Sequence, residues 1–450
     1  MLGIVVSRAD EASVHIGDHL LDLADWTEHH DDSCPDGDGG GTVYRTEGAE
    51  LREFDPLHLD LEATAAPFLS GEGAVDLLAF ASRHSGETGP LLTAHHTGNF
   101  GAADHGGVDG GLARACPAAH SRVLAAFEAH APEEYEVGME CTHHGPSSVG
   151  LPSMFVELGS GPEQWEDADA ARATAQAILD LRDAPADGER HLLGLGGGHY
   201  APRFTRVARD TDWHVGHVAA DWCLDALYER YDADKRRAVL DRAFEQSRAD
   251  HALLADEVPG DLRETVEALG YRVVTETWVQ ESDGVHLETV ADAESAVGTV
   301  ADGLRFGQPA QVDSPVAFTV RDLPADLLAE CRGIDAPAVE AAVDAAAVAY
   351  DTEQAGSQVA GTVAIPDGAA YDRIIDALVG LVREAYDAVT REEEAVVVTE
   401  RAFDPEKARS LGIPEGPAFG RLASGESVEV DGRHIDADVV RTERTHRFPL

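Results

Sequence analysis

Residues 140–146 of the chain have the sequence Glu-Cys-Thr-His-His-Gly-Pro. They stand between two apolar runs, Tyr135–Met139 and Pro152–Leu158, which have the length and composition of strands. A carboxylate, two adjacent imidazoles and a Gly-Pro turn are unsuited to a hydrophobic core, and loops that follow strands often carry functional residues. The stretch therefore predicts a functional site at a strand end.

Two further clusters of polar side chains occur at predicted strand ends. Thr93–Asn99 has the sequence Thr-Ala-His-His-Thr-Gly-Asn, and Gly194–Arg203 has the sequence Gly-Leu-Gly-Gly-Gly-His-Tyr-Ala-Pro-Arg. Strand ends in a largely parallel sheet meet at one edge. We therefore expect the three clusters to lie close together.

The chain is strongly acidic along its whole length of 450 residues. It has 84 Asp and Glu against 34 Lys and Arg, a formal charge of −50, and only Lys235 and Lys407 are lysines. Such a charge strains a compact state by self-repulsion, but the Debye length shrinks to about 3 Å near 1 M salt. We interpret the composition as that of a folded cytoplasmic protein working in concentrated salt.

The cysteines and the apolar runs exclude several classes of protein. The five cysteines are scattered with no Cys-x-x-Cys pair, which argues against a thiolate zinc knuckle or a disulfide framework. No apolar run approaches the ~18–20 residues that a membrane span requires. The N-terminal residues, Met-Leu-Gly-Ile-Val-Val-Ser-Arg, fit a first strand rather than a signal peptide.

Strand and helix patterns alternate through the first 280 residues. This alternation predicts a three-layer α/β/α sandwich with a mixed, largely parallel sheet. Asp10 is a candidate cap for the first helix, and the polar segment Glu28–Gly41 is predicted to be a loop. The predicted strands include Leu2–Ser7, Val75–Ala81, Leu91–Ala94, Met154–Leu158, His191–Leu195 and Tyr271–Val279; the predicted helices include Cys116–His130 and Glu163–Leu181.

The composition of the sequence changes near residue 280. Of the 21 histidines, 17 lie in the first 217 residues, and the sequence beyond residue 280 is acidic and rich in Ala and Val. We therefore predict two domains: a catalytic domain of residues 1–280, which contains the clustered polar and histidine side chains, and an appended α+β region of residues 281–450.

The clustered histidines are candidate metal ligands. Neutral imidazole is the commonest metal ligand, and three N or O ligands plus water form the usual open zinc site. No His-Glu-x-x-His pattern specifies zinc locally, and the alternative for each single histidine is a hydrogen-bonded loop residue. The glycine-rich run Gly194–Gly198 predicts a tight turn rather than a phosphate cradle, because Pro202 disfavours a helical start at Ala201.

Five ordered motifs resemble one family. They are Ala81–Ser85, His95–Asn99, Thr142–Pro146, Pro152–Ser160 and Gly196–Pro202. Residues 1–280 resemble the archaeal D-aminoacyl-tRNA deacylases, a type shared with plants. The resemblance implies a zinc-dependent esterase that frees D-amino acids from tRNA, with an α/β fold like that of the phosphorylase/peptidyl-tRNA hydrolase group. It also implies one or two zinc ions, D-aminoacyl-tRNA as partner, no membrane or DNA, a cytoplasmic location and a monomer.

The resemblance also selects site residues, although its motifs do not separate metal-binding histidines from those that contact tRNA. We predict His95, His144 and His199 at the metal. The predicted catalytic residues are His143, Glu157, Asn99 and Glu140. The predicted substrate-binding residues are Thr97, Gly98, Thr142, Gly197, Gly198, Tyr200 and Arg203. His96 falls outside the pattern, where an apolar residue is usual.

Two other classes remain open from the sequence. The fold group and the histidines also suit a zinc aminopeptidase or amidohydrolase, and the chain can alternatively be a non-catalytic RNA-binding protein. Residues 403–432 are similar to a short stretch of tRNA 3′-processing endonucleases, without their metal-binding motif. Residues 281–450 are thus either a tRNA-docking module or a stabilising appendage.

Overall fold

The computed structural model describes residues 1–69 and 74–450. Contacts between residues divide the chain into two compact units, Met1–Gln280 and Glu281–Leu450. In the described residues no helix is both long enough and apolar enough to cross a membrane.

A large sheet forms the centre of the first unit. Its described strands, in chain order, are β1 (Leu2–Ser7), β2 (Thr27–Asp31), β3 (Gly41–Thr46), β4 (Ala49–Phe54), β5 (Leu77–Arg83), β6 (Leu91–His95), β7 (Glu136–Met139) and β8 (Ser153–Gly159). Their spatial order is β2-β3-β4-β1-β5-β8-β6-β7. The pairs β1–β4, β1–β5, β5–β8 and β6–β7 are parallel, and the other three pairs are antiparallel.

A second, fully parallel sheet completes the unit. It consists of β9 (His191–Leu195), β10 (His214–Ala219), β11 (His251–Leu254) and β12 (Arg272–Val274), in the order β10-β9-β11-β12. The described helices of the unit are α1 (Glu11–Leu23), α2 (Ala65–Leu69), α3 (Pro117–His130), α4 (Pro162–Trp165), α5 (Ala168–Leu179), α6 (Pro202–Asp210), α7 (Asp221–Arg230), α8 (Ala233–Ser247), α9 (Leu262–Ala268) and α10 (Glu276–Glu281).

Both faces of the large sheet are buried, as the continuous apolar runs predicted. In β5, Leu77, Ala79 and Ala81 belong to one core cluster, whereas Leu78 and Phe80 belong to another on the opposite face. Helices α1, α3 and α5 cover the first face. The mixed, mostly parallel α/β class predicted from the sequence is confirmed.

Residues 140–146 join the two sheets. The Cys141 amide donates to the His199 carbonyl at 2.8 Å, and the Thr142 amide donates to the Val218 carbonyl at 2.7 Å. Backbone hydrogen bonds thus fix this stretch, which follows β7, against the loop after β9 and against β10.

Several local predictions need correction, and one is confirmed. Asp10 does cap α1, because its carboxylate accepts from the Ala12 and Ser13 amides. Part of the predicted loop Glu28–Gly41 is the edge strand β2, since pairing with β3 overrides its polar composition. The predicted strand Tyr271–Val279 is instead the short β12 followed by α10. The helix predicted at Glu163–Leu181 is divided into α4 and α5 because Asp167 begins a new helix as its cap.

The second unit is α+β. Its described helices are α11 (Leu287–Ala296), α12 (Ala325–Asp344), α13 (Gly368–Ala385), α14 (Pro405–Ser410) and α15 (Pro417–Ala423). Its described strands are β13 (Arg305–Phe306), β14 (Thr319–Asp322), β15 (Ala349–Glu353), β16 (Gln358–Ile365), β17 (Ala388–Arg391), β18 (Ala395–Phe403), β19 (Val428–Val430), β20 (Arg433–Ile435) and β21 (Arg441–Pro449). They form antiparallel sheets in the orders β13-β15-β16-β14, β17-β18-β21 and β19-β20.

Candidate active site

Side chains from five strand ends meet in one cluster in the first unit. His84 follows β5, His95 ends β6, residues 140–146 follow β7, Glu157 lies in β8 and His199 follows β9. The two sheets thus contribute to one site, because residues 140–146 hold the end of β7 against the end of β9.

Three histidines direct one ring nitrogen each toward a common point. Each donates its Nδ1–H to a backbone carbonyl: His95 to His96 at 3.1 Å, His143 to Cys141 at 2.8 Å and His144 to Gly145 at 2.7 Å. The remaining nitrogen of each ring is Nε2, and the three candidate ligand atoms lie within 4.8 Å of one another. Backbone carbonyls that fix Nδ1–H are the usual supports of metal-binding histidines.

The donor set fits a metal ion such as zinc. His95 is fully buried, yet its Nε2 makes no hydrogen bond in the described structure, and Glu157 Oε1 is 3.6 Å away. A buried polar atom without a partner costs about 1–3 kcal/mol, so a ligand at this point would remove that cost. Burial, together with His143 and His95, also holds the pKa of His144 well below its usual range, and the neutral form is the one that binds metal.

The backbone of His144 is held in a strained conformation. Its φ is +48°, in the left-handed region that non-glycine residues seldom adopt. The Gly98 amide donates to the His144 carbonyl at 2.7 Å and anchors this conformation. The predicted residues Thr97 and Gly98 therefore support the histidine loop through the backbone, since Thr97 also pairs with His143 as an isolated β-bridge.

Glu140 is the buried counter-charge of the site. It accepts from His199 Nε2 at 2.7 Å, and its other oxygen lies 3.0 Å from His84 Nδ1. Burial alone would raise its pKa, but the contacts with His199 and His84 outweigh burial and hold the pKa well below the usual range. Glu140 is therefore ionised at neutral pH.

Glu157 is the second buried carboxylate. Its oxygens lie 3.6 Å from His84 Nδ1 and 3.6 Å from His95 Nε2. Burial would raise its pKa, but His84 and His95 lower it to about 2. For His84 the opposite holds: burial would lower its pKa, whereas Glu140 and Glu157 raise it to about 11.

Cys141 and His199 form a second potential donor group. Cys141 Sγ is 3.4 Å from His199 Nδ1, and Cys141, His143 and His199 make a group that could hold a metal ion. The Cys223 thiol, followed by His143 and His199, lowers the pKa of Cys141 to about 3. Both ring nitrogens of His199 have protein partners, so His199 would have to release one of them to bind a metal, unlike His95, His143 and His144.

Two cavities flank His143. One of 330 Å³ is lined by His143, His144 and His199 together with His84, Glu157 and Phe155. The other, of 170 Å³, is lined by His143 with Asn99, Phe100 and Trp222. His143 thus lines both cavities.

Four of the predicted substrate-binding residues have hydrogen-bond partners within the fold. The Thr142 hydroxyl is buried, lies 2.9 Å from His217 Nδ1 and accepts from the Val218 amide. The Gly197 amide donates to Asp221 at 2.7 Å, and the Gly198 carbonyl accepts from Ala201. Arg203 is bound to Glu276 and to the Leu254 carbonyl.

Tyr200 and Asn99 lie at the edges of the cluster. The Tyr200 hydroxyl is 3.2 Å from His84 Nε2, and the Asn99 side-chain amide donates to the Gly106 carbonyl. Ala201 is not helical, as predicted, and has φ +43°; α6 begins directly after it, at Pro202.

The predicted sets did not include His84 or Cys141. His84 belongs to the motif at residues 81–85, but nothing in the sequence shows that it reaches two carboxylates. Cys141 is adjacent to predicted residues, and its pairing with His199 spans 58 positions. By contrast, His96 is buried with both ring nitrogens bonded to backbone groups of Gly216 and Cys116, which agrees with its exclusion.

Comparison with known proteins gives consistent matches. A family model described as D-aminoacyl-tRNA deacylase matches residues 72–274. The chain is 54% identical over 457 residues to the D-aminoacyl-tRNA deacylase of Haloarcula marismortui, covering 100% of each chain. It is 30% identical over 469 residues to the D-aminoacyl-tRNA deacylase of Methanococcoides burtonii, covering 99% of this chain and 95% of the relative.

A solved structure is also similar. The conserved protein of unknown function AF0625 superposes with a TM-score of 0.55 and 29% sequence identity, covering 63% of this chain and 98% of that one. The two sequence matches above extend over both units, whereas this structural match covers less of the chain.

Proposed function

The chain belongs to the D-aminoacyl-tRNA deacylase family, and we propose that it hydrolyses the ester bond between a D-amino acid and the 3′-terminal ribose of tRNA. One observation carries the proposal of a metal-assisted site. The Nδ1–H groups of His95, His143 and His144 are fixed by backbone carbonyls, and His143 and His144 line a 330 Å³ cavity that is also lined by the ionised, buried carboxylate of Glu157.

His95, His143 and His144 would hold a zinc ion through their Nε2 atoms. When bound, such an ion lowers the pKa of a coordinated water toward ~7 and polarises a carbonyl oxygen. Three imidazole groups are one of the ligand sets that catalytic zinc sites use. A second ion at Cys141, His143 and His199 would compete with the first for His143, so we assign one ion to the three-histidine group.

Glu157 accepts the proton of the attacking water. With a pKa of about 2 it is ionised at neutral pH, and it lies 3.6 Å from His95. The water oxygen bonds to the ester carbon, the carbon–oxygen bond to the ribose breaks, and the proton held by Glu157 passes to the departing ribose oxygen. His84 and Glu140 position Glu157 and His199 and keep the buried charges balanced.

The cavity of 330 Å³ accommodates the amino acid. Phe155 and Leu57 supply an apolar wall, and Arg83 and Ser82 supply polar groups. A cavity of this size lies at the small end of ligand sites, which suits an amino-acid side chain rather than a peptide.

The decisive experiment measures hydrolysis of D- and L-tyrosyl-tRNA in concentrated salt. The native protein, the protein treated with EDTA, and the treated protein with zinc restored are compared. We expect release of D-tyrosine, loss with EDTA and recovery with zinc. Release of tyrosine only from free peptides would instead support the aminopeptidase, and tRNA binding without turnover would support the non-catalytic alternative.

We assign catalysis to residues 1–280 and expect a cytoplasmic monomer that acts on charged tRNA and not on DNA. Residues 281–450 have apolar cores of their own, so removing them is a practical test of their role. We expect residues 1–280 alone to retain the hydrolytic rate constant. Reduced tRNA affinity would identify a docking module, and unchanged affinity would exclude docking and leave a stabilising role.

A further inference from the structure

The smaller cavity beside His143 has an exposed aromatic wall. Its 170 Å³ are lined by Asn99, Phe100, His143, Trp222 and Ala226, among others. Trp222 is 50% exposed, whereas most tryptophans in a folded chain are largely covered. Within the part of the chain that the structure describes, its indole makes no hydrogen bond and no aromatic contact, so it is a flat, open surface next to the candidate site.

The backbone around Trp222 holds it rigidly in this position. Trp222 lies in the first turn of α7, and Ala226 and Arg230 follow on the same helix face at i+4 and i+8. Ala226 packs closely on Gly101, where a Cβ atom would lie 2.7 Å from it, and Arg230 pairs with Asp109. The indole is therefore presented by a fixed helix rather than by a mobile loop.

A group of basic residues follows the same helix. Arg230, Lys235, Arg236 and Arg237 lie within eight positions of a chain that has 34 basic residues in 450. Lys235 and Arg237 are exposed and form no ion pair with any residue that the structure describes, and the Lys235 ammonium lies 5.6 Å from the centroid of the Tyr231 ring. Arg230 is about 12 Å along the helix axis from Trp222, at 1.5 Å per residue.

An aromatic platform followed by exposed cations is an arrangement that binds single-stranded nucleic acid. Bases stack on the ring, and Lys and Arg contact the phosphates. The 170 Å³ cavity is smaller than the sites of whole drug-sized ligands, and it has room for one planar ring system. A base placed there would have its ribose beside His143, which also borders the larger cavity.

We propose that Trp222 stacks on the base of the 3′-terminal adenosine of tRNA and thereby places the ester beside His143. This inference rests on the proposed function, because it takes tRNA as the substrate. The strand preceding the terminal adenosine runs along α7 toward Lys235 and Arg237. The amino acid enters the larger cavity on the other side of His143.

The test measures binding of two deacylated tRNAs, one complete and one lacking the terminal adenosine, to native protein and to Trp222→Ala. Affinity is measured by fluorescence anisotropy at the salt concentration that supports the fold. For native protein, we expect removal of the adenosine to weaken binding about 5- to 150-fold. Trp222→Ala should weaken binding of complete tRNA by a similar factor, with no further loss on the shortened tRNA. Trp222→Phe should bind with intermediate affinity.

Steady-state kinetics test the interaction between Trp222 and the terminal adenosine independently. Trp222→Ala should raise KM for D-tyrosyl-tRNA without changing kcat, because stacking contributes equally to the bound substrate and the transition state. Val14→Ala, which removes an exposed apolar side chain from α1, serves as the control and should change neither constant.

Two outcomes would overturn the proposal. In the first, Trp222→Ala leaves both affinities unchanged; in the second, it weakens binding of the complete and the shortened tRNA equally. Failure of the proposed function is distinguishable, because it appears as the absence of D-tyrosyl-tRNA hydrolysis by native protein, whatever the binding results show.

Discussion

Glu140→Gln tests the charge balance at the centre of the site. The Glu140 carboxylate is 1% exposed, accepts from His199 Nε2 at 2.7 Å and lies 3.0 Å from His84 Nδ1. Glutamine keeps the shape of the side chain but removes its negative charge. The substitution thus removes the nearest counter-charge of His84 and, after Cys141, the second group that raises the pKa of His199.

The expected loss of stability follows from His84. Burial would lower its pKa, but Glu140 and Glu157 raise it from 6.5 to about 11. The difference of about 4.5 pKa units corresponds to roughly 6 kcal/mol at most, at 1.36 kcal/mol per unit. Glu140 is nearer to His84 than Glu157 is, at 3.0 Å against 3.6 Å, so about half of this, roughly 3 kcal/mol, belongs to Glu140. Breaking a buried ion pair by removing one partner typically costs about 3–5 kcal/mol, which agrees.

The pH dependence of this loss has a definite sign. Because the folded pKa of His84 lies above its unfolded value, its stabilisation is fully present below pH 6.5 and is lost as the pH rises toward about 11. The loss in Glu140→Gln should therefore be largest near pH 6 and shrink toward pH 10.

Urea unfolding of EDTA-treated protein in concentrated salt, followed by circular dichroism, measures this free energy. Glu163→Gln, an exposed carboxylate in α4, is the matched control and should cost less than about 0.5 kcal/mol. A loss in Glu140→Gln below about 1 kcal/mol at pH 6, or an equal loss at pH 6 and pH 10, would refute the reasoning.

Three further predictions concern metal, acid and salt. His95→Ala or His143→Ala should each remove bound zinc, measured by elemental analysis, and lower kcat/KM by at least about 100-fold, whereas the surface variant His130→Ala should retain both. Retained zinc in either site variant would contradict the ligand assignment. The free energy of unfolding should fall as the pH drops from 6.5 toward 4, because burial lowers the pKa of His120 and of His217 to about 4 and the unfolded chain takes up the protons first. Each of these two histidines should lower the free energy of unfolding by up to about 3 kcal/mol over this pH range. His217→Gln should therefore make the free energy of unfolding, measured by denaturant titration at several pH values, depend less steeply on pH. Lowering the salt should unfold the protein rather than tighten tRNA binding, because the charge of −50 is then unscreened; a steep fall of affinity across the molar range would argue against this.

The sequence alone determined the fold class and predicted that polar side chains at several strand ends lie close together. The nearly continuous apolar run Val75–Ala81 identified the central strand β5, because a strand buried on both faces has few polar positions. Polar clusters at the ends of such strands identify the site edge, and His95, His143 and His144 do lie together there. Local composition predicted secondary structure less reliably at the edge of the sheet. There the polar segment that forms β2 is a strand because it pairs with β3.

Only the tertiary structure decided how the site residues are connected. His84 reaches Glu140 and Glu157, and Cys141 reaches His199, across separations that leave no periodic signal in the chain. The hydrogen bonds of residues 141 and 142 to a second sheet likewise depend on how the two sheets pack. Sequence patterns report burial and local backbone geometry, whereas pKa values and free ligand atoms depend on which groups the fold brings within a few ångströms of each other.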